Sequence, residues 1–169
     1  MMPISKWCKI SDTSVIRSET RITDVSEILH HLDMGIIQGL RQTNNHNADG
    51  MDVCLCKTEK KNENEFLVTY SGAKRPLFYA ENQTIQLARP TRESIGGMTG
   101  VQKEFQSQEI LLRKGDVLYL TTDGFTDNPN RLRKRFGEER FAKLLQAITS
   151  YALIDQKNLL VSAYQTHQE

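Results

Sequence analysis

From Thr23 onward the apolar residues fall into periods that define elements. Val25, Ile28, Leu29, Leu32, Ile36 and Leu40 recur at helical spacing, with Asp24 and Glu27 placed as an N-cap and its capping-box partner. This predicts the clearest helix of the chain, in which Gly35 costs about 1 kcal/mol relative to alanine or marks a close packing contact. A polar loop, "QTNNHNADG", leads to "MDVCLCKT", where Val53, Leu55 and Lys57 alternate with Asp52, Cys54 and Cys56 as in a strand. "KKNENE" then turns the chain into the strand "FLVTYSGA". "PLFYA" and "TIQLA" follow, separated by Glu81-Asn82-Gln83 in the manner of a hairpin. "RPTRESIGGMTG" reads as a long loop, and "EFQSQEILLRKGDVLYLTT" as two further strands joined at Lys114-Gly115-Asp116. Phe141, Leu144, Leu145 and Ile148 mark a second amphipathic helix, and a last helical segment runs from Asp155 to about His167.

One helix, about six short strands in hairpin-like succession and then helices argue for an α+β fold built on antiparallel sheet. They do not suit an alternating βαβ array. Residues 1–20 show no sustained period and read as a poorly ordered lead or the remnant of an element, leaving residues 21–169 as one domain. With no strand pattern in the first twenty residues and a terminal helix ending on "SAYQTHQE", the domain is expected to be incomplete at both ends.

Bulk properties narrow the function classes. The 22 basic and 21 acidic residues give a net charge of +1, so no whole-molecule field favours nucleic acid or an anionic membrane surface. The longest apolar runs, such as Val117 to Leu120, fall far short of the ~20 residues a membrane helix needs. Cys8, Cys54 and Cys56 are an odd set at spacings matching no disulfide framework, and no signal-peptide core precedes them. A cytoplasmic protein is the expectation.

The candidate chemistry centres on "LYLTTDGFTDNPN", residues 118–130. Asp-Gly is a strong hairpin-turn signal when alternating apolar residues flank it on both sides. Here they flank it only upstream, so no returning strand is expected and Asp123 reads as a carboxylate carried at a strand end into a polar loop. Asp127, four residues on, is either a second carboxylate of the same site or a solvated turn acid. Carboxylates without nearby histidine suit Mg²⁺ or Mn²⁺.

The competing candidates have simpler accounts. Cys54 and Cys56 with His46 invite zinc, but two cysteines on one strand face serve as small buried hydrophobes. His30 and His31 lack metal spacing to each other. "SIGGMTG" has neither the lysine nor the strand-to-helix context of a phosphate loop. "RLRKR" has the chemistry to grip a phosphoryl group, although short basic loops are ordinarily solvated. "NADGMD" reads as a turn followed by an exposed acid.

Taken in order, "GMDVCLCKTE", "LVTYSGAKRPLFY", "SIGG", "LLRKGDVLYLTTDGFTD" and "RFGEERFAKLLQ" resemble the PPM-type metal-dependent protein serine/threonine phosphatases. The similarity is to their bacterial branch typified by the stage II sporulation protein E phosphatase. It spans roughly residues 23–169 and corresponds to the C-terminal part of the catalytic domain. The resemblance implies an antiparallel β-sandwich flanked by helices. It also implies a binuclear Mn²⁺ or Mg²⁺ centre held by aspartates, where a metal-bridging hydroxide attacks the phosphorus of phosphoserine or phosphothreonine. Asp123 falls on a metal-ligand aspartate of that family, and Asp127 on the acidic residue that often follows it. The implied partner is a phosphorylated regulatory protein, with an anti-sigma-factor antagonist as the substrate class.

Two family motifs do not occur. There is no Gly-Asp-[Phe/Tyr]-x-Asp and no Asp-Asp-[Ile/Val]-Thr, and the only Gly-Asp is Gly115-Asp116. A lone aspartate cannot hold two divalent ions, so this chain by itself is expected to bind metal weakly and hydrolyse little unless a partner or a second copy supplies the missing carboxylates. Uncovered sheet edges are expected to favour self-association. The alternatives to an enzyme are a non-catalytic phosphatase-like interaction module and a truncated product without an independent role.

Overall fold

The computed structural model describes residues 7–9, 23–44, 47–97 and 103–169. These residues form two compact units. One gathers strand β1 (Trp7–Lys9) with Phe78–Leu87 and Gly115–Glu169. The other holds the described residues from Thr23 to Leu77 together with Ala88–Lys114.

In the second unit, helix α1 spans Val25–Gly39. Asp24 caps it as its spacing predicts, its carboxylate accepting from the amides of Ser26 at 2.8 Å and Glu27 at 3.2 Å. The Ser26 and Ser107 hydroxyls donate to the same oxygen. The Ser26 hydroxyl, above all, holds the Asp24 carboxyl below its ordinary range. Strands β3 (Val53–Lys60), β4 (Glu65–Ala73) and β8 (Gln108–Arg113) form an antiparallel sheet with β4 in the centre. Leu29 of α1 joins Ala73, Ile95 and Phe105 in the core, with Ile36, Val53 and Leu55 packed around them. Gly72 is the one residue that fits its place in β4, since any Cβ there would collide with the Tyr70 hydroxyl and the Arg75 carbonyl.

Within the loop predicted over "RPTRESIGGMTG", the described residues 89–97 are more structured than a glycine-rich loop suggests, and the remainder lies outside the described residues. Ile95–Gly96 forms strand β7, pairing antiparallel with β2 (Gly50–Met51). A buried polar network fixes it there. Lys103 Nζ donates to Asp33 Oδ1 at 2.6 Å and to the Gly96 carbonyl at 2.6 Å, while the Gly96 amide donates to the same Asp33 oxygen at 2.7 Å. The Gly97 amide donates to Gln42 Oε1 at 3.0 Å, and Gln42 Nε2 to the Asp49 carbonyl at 2.7 Å. Gly96 sits at φ 69°, and a Cβ there would strike Ile36. Asp33 lies on the buried face of α1, the place a helical pattern assigns to an apolar residue.

The first unit is a sheet of order β1, β9, β5, β6, with β5 (Leu77–Glu81), β6 (Thr84–Ala88) and β9 (Val117–Tyr119). The expected hairpin between β5 and β6 is present. Asn82 and Gln83 both take positive φ, 49° and 62°, as a two-residue type I′ connection requires. The Asn82 amide donates to the buried Asp116 carboxylate at 3.0 Å. The Lys114–Asp116 link does not close a hairpin, however: β8 and β9 lie in different sheets. Trp7–Lys9, in a stretch without strand periodicity, pairs antiparallel with β9. On one face of the sheet the register sets Phe78 opposite Tyr119 and Ala80 opposite Val117. These four pack with Phe136 and with residues of α3 (Glu138–Ile148) and α4 (Leu153–Gln168). The apolar face read for α3 is the buried one, through Phe141, Leu145 and Ile148. The Tyr119 hydroxyl donates to Gln156 Oε1 at 3.0 Å, and burial raises its pKa above the ordinary phenol value.

Because breaking a buried ion pair leaves the other charge uncompensated, Lys103→Met is expected to cost about 3–5 kcal/mol in urea unfolding. The double variant Asp33→Leu/Lys103→Met removes the uncompensated charge but leaves the Gly96 amide and carbonyl without these partners, so it should recover only part of that loss; a single-variant loss below about 1 kcal/mol would contradict this account.

Candidate functional site

β9 ends at Tyr119, and three residues later the chain turns into a four-residue helix, α2 (Asp123–Thr126). The sequence pattern predicts a polar loop here, whereas the structure places a single helical turn with Asp123 as its first residue. Asp-Gly is therefore not a hairpin turn. A carboxylate in the first turn of a helix suits the dipole there, although one turn of helix has no stability of its own. Packing supplies it. Phe125 lies edge-on to Phe136 at 5.0 Å and tilted against Phe141 at 4.9 Å and Tyr164 at 5.4 Å. Phe78 meets Phe141 in turn at 5.2 Å, which ties the turn to the sheet that delivers it.

Asp127 closes α2, its amide donating to the Asp123 carbonyl at 2.7 Å. Its carboxylate faces Arg135 at 3.5 Å, with both side chains more than half exposed. The intervening "RLRKR" forms a tight loop around Asn130. The Asn130 Oδ1 accepts from the Leu132 and Lys134 amides at 3.0 and 2.9 Å, and Arg133 adopts φ 58°. The Gly137 amide donates to the Thr126 carbonyl at 2.8 Å and the Phe136 amide to the Asn128 carbonyl at 3.1 Å. This loop is thus folded back on α2. Its basic residues are exposed, and Arg135 is committed to Asp127.

The other candidates do not join this turn. Cys54 and Cys56 are half-buried on β3, and a hydrogen bond with Cys54 together with burial pushes the Cys56 thiol far above its ordinary range. His46 lies outside the described residues. His31 Nδ1 contacts the Glu27 carbonyl at 2.8 Å, and His30 lies edge-on to Phe105 at 6.2 Å. Asp52, from "NADGMD", is bound to Ser94 Oγ at 2.6 Å and faces Arg75 at 3.5 Å.

Among the described residues, no three His, Cys, Asp or Glu side chains stand close enough together to hold a metal ion. The donor set around Asp123 therefore does not by itself fit a two-metal centre: it offers one carboxylate at the turn's start and a second turned toward an arginine.

A family model described as Stage II sporulation protein E (SpoIIE) matches residues 13–169. The chain belongs to this family. At family level that makes it a PPM-type phosphatase sequence. Among solved structures, the SiaA-PP2C domain of Pseudomonas aeruginosa is similar at 25% identity and a TM-score of 0.68 over 86% of this chain. The match covers 55% of that structure's chain, so the present chain spans about half of its length. No curated protein matches the sequence. The similarity agrees with the α+β class and the antiparallel sheets observed. No helix among the described residues is long and apolar enough to cross a membrane.

Periodicity alone did not reveal the ring cluster beneath Asp123, because Phe125, Phe136 and Tyr164 stand in three separate segments. Phe125→Ala is expected to cost about 2–3 kcal/mol, toward the low end for a ring that is only half buried. Arg135→Ala, which breaks an exposed pair, should change stability by less than about 0.5 kcal/mol. Chemical denaturation of both variants checks this, and equal losses would contradict the packing account.

Proposed function

We propose that this chain forms part of a metal-dependent protein serine/threonine phosphatase that hydrolyses phosphoserine or phosphothreonine on a regulatory protein. An anti-sigma-factor antagonist is the substrate class to test first. The observation that carries the reading is the Asp-Gly turn at the end of β9, within a family match that runs from residue 13 to residue 169. Membership of a hydrolase family supports the reaction class, and the presentation of Asp123 in the first turn of α2 supports its role as one carboxylate of the site.

Mn²⁺ or Mg²⁺, two ions in the complete family site, is the cofactor this reading requires. The described residues do not assemble enough ligands for it. On this reading, the remaining carboxylates come from outside the described residues, from further chain, a partner or a second copy of this one. Asp127 then acts by fixing the turn or by adding a ligand when Arg135 gives way. The same shortage of ligands favours a second reading, in which the chain is a phosphatase-like module that binds a phosphoprotein without cleaving it.

Turnover of a phosphoserine peptide with Mn²⁺ separates the two. The 169-residue chain alone is expected to hydrolyse it slowly, and added segments carrying Gly-Asp-Tyr-x-Asp and Asp-Asp-Ile should raise turnover by about a hundredfold or more. Asp123→Asn should abolish that gain. Rapid Mn²⁺-dependent turnover by the monomeric chain, or unchanged turnover in Asp123→Asn, would overturn the proposal. Binding of the phosphopeptide with no turnover in the extended form would establish the second reading.

A further inference from the structure

α4 reaches the Asp123 turn with its last helical turn, and the contact it makes there is more specific than apolar packing. His167 is buried, although a histidine in the last turn of a helix is ordinarily left to solvent. Its Nε2 lies 3.1 Å from the Asn128 carbonyl, its Nδ1 lies 3.1 Å from Arg140 Nη1, and its ring stands edge-on to Phe136 at 5.1 Å. Arg140 is itself held, with its guanidinium over the Phe136 ring at 4.5 Å.

These contacts determine the protonation pattern of the ring. A guanidinium has five donors and no acceptor, so the Arg140 contact exists only if Nδ1 carries no proton. The single ring proton then sits on Nε2 and is donated to the Asn128 carbonyl. That carbonyl also accepts the Phe136 amide, and Asn128 directly follows Asp127. Tyr164, one helical turn before His167, packs against Phe125 inside α2. The last turn of α4 thus grips the turn at two points, by ring contact at Phe125 and by a directional hydrogen bond at Asn128.

We infer that His167 is a positioning residue: oriented by Arg140, it locks the exit of the Asp123–Asn128 turn through Nε2–H and thereby fixes where the Asp123 carboxylate is presented. A one-turn helix without a side-chain cap needs such a lock, because a reactive group must be held within about 0.5 Å to be useful. The consequence for catalysis rests on the phosphatase reading above, whereas the lock itself does not.

Amide hydrogen exchange and ¹⁵N spectroscopy on the 169-residue chain test it. In His167→Ala, exchange at the Asp127, Phe136 and Gly137 amides, which close the turn, should rise about fivefold to thirtyfold, with the β4 and β8 amides unchanged. His167→Gln, whose amide pairs a donor nitrogen with an acceptor oxygen, should restore most of the protection. In the unaltered chain the ring nitrogen shifts should report the Nε2–H tautomer, a readout that does not depend on any variant folding. Unchanged exchange at those three amides in His167→Ala, or an Nδ1–H ring, would overturn the inference. In the extended, active form, His167→Ala should lower kcat with little change in KM, and His167→Gln should rescue it. Loosening of the turn without any hydrolysis by the extended form would support the lock and count against the phosphatase reading alone.

Discussion

The turn that Asp123 begins depends on the side chain of Phe125. A four-residue helix forms a single hydrogen-bonded turn, far below the length at which a helix persists in water, so α2 exists because something outside it holds it. Phe136 and Phe141, on either side of the start of α3, and Tyr164 of α4 close on Phe125 within 4.9 to 5.4 Å. Phe141 also meets Phe78 of β5, and Tyr119 of β9 packs in the same cluster. The strand that brings the chain to Asp123 and the rings that hold the turn after it therefore share one core. Asp123 lies at the outer edge of that arrangement, exposed, with rigid packing behind it.

The second unit solves a different problem by different means. Its glycine-containing segment around Gly96 has little side chain to bury and two amides that need acceptors. Asp33 and Gln42 provide them, and Lys103 neutralises Asp33 while also satisfying the Gly96 carbonyl. A buried ion pair of this kind gives little net stability relative to apolar residues of the same shape. What it specifies is location. Directional bonds set Ile95–Gly96 beside Gly50–Met51 where apolar packing alone would tolerate slippage.

How far the sequence could be read follows from which forces leave a periodic trace. α1 with its Asp24 cap, α3 with its Phe141, Leu145 and Ile148 face, and the β5–β6 hairpin were legible because one-sided burial and turn chemistry impose spacing on the chain. β1 was not, since three residues are too few for a period and their place is set by pairing with β9. β7 was hidden because its stability comes from side chains far away in sequence. Lys114–Gly115–Asp116 looked like a hairpin because turn residues mark a change of direction without saying which sheet receives the next strand. Around Asp123, the lack of a returning strand was legible, whereas the helical turn it begins and the His167 contact rest on tertiary packing that no local pattern carries.

The chain thus presents one well-supported carboxylate in a family of phosphatases while bringing too few ligands together, among the described residues, for a two-metal centre. Titration of Mn²⁺ into the ¹⁵N-labelled chain, followed by paramagnetic broadening of its amides, tests this combination most directly. The account predicts weak, non-saturating broadening centred on residues 122–128 and lost in Asp123→Asn. Tight binding of two ions by the monomeric chain, or broadening centred elsewhere with this segment untouched, would contradict it.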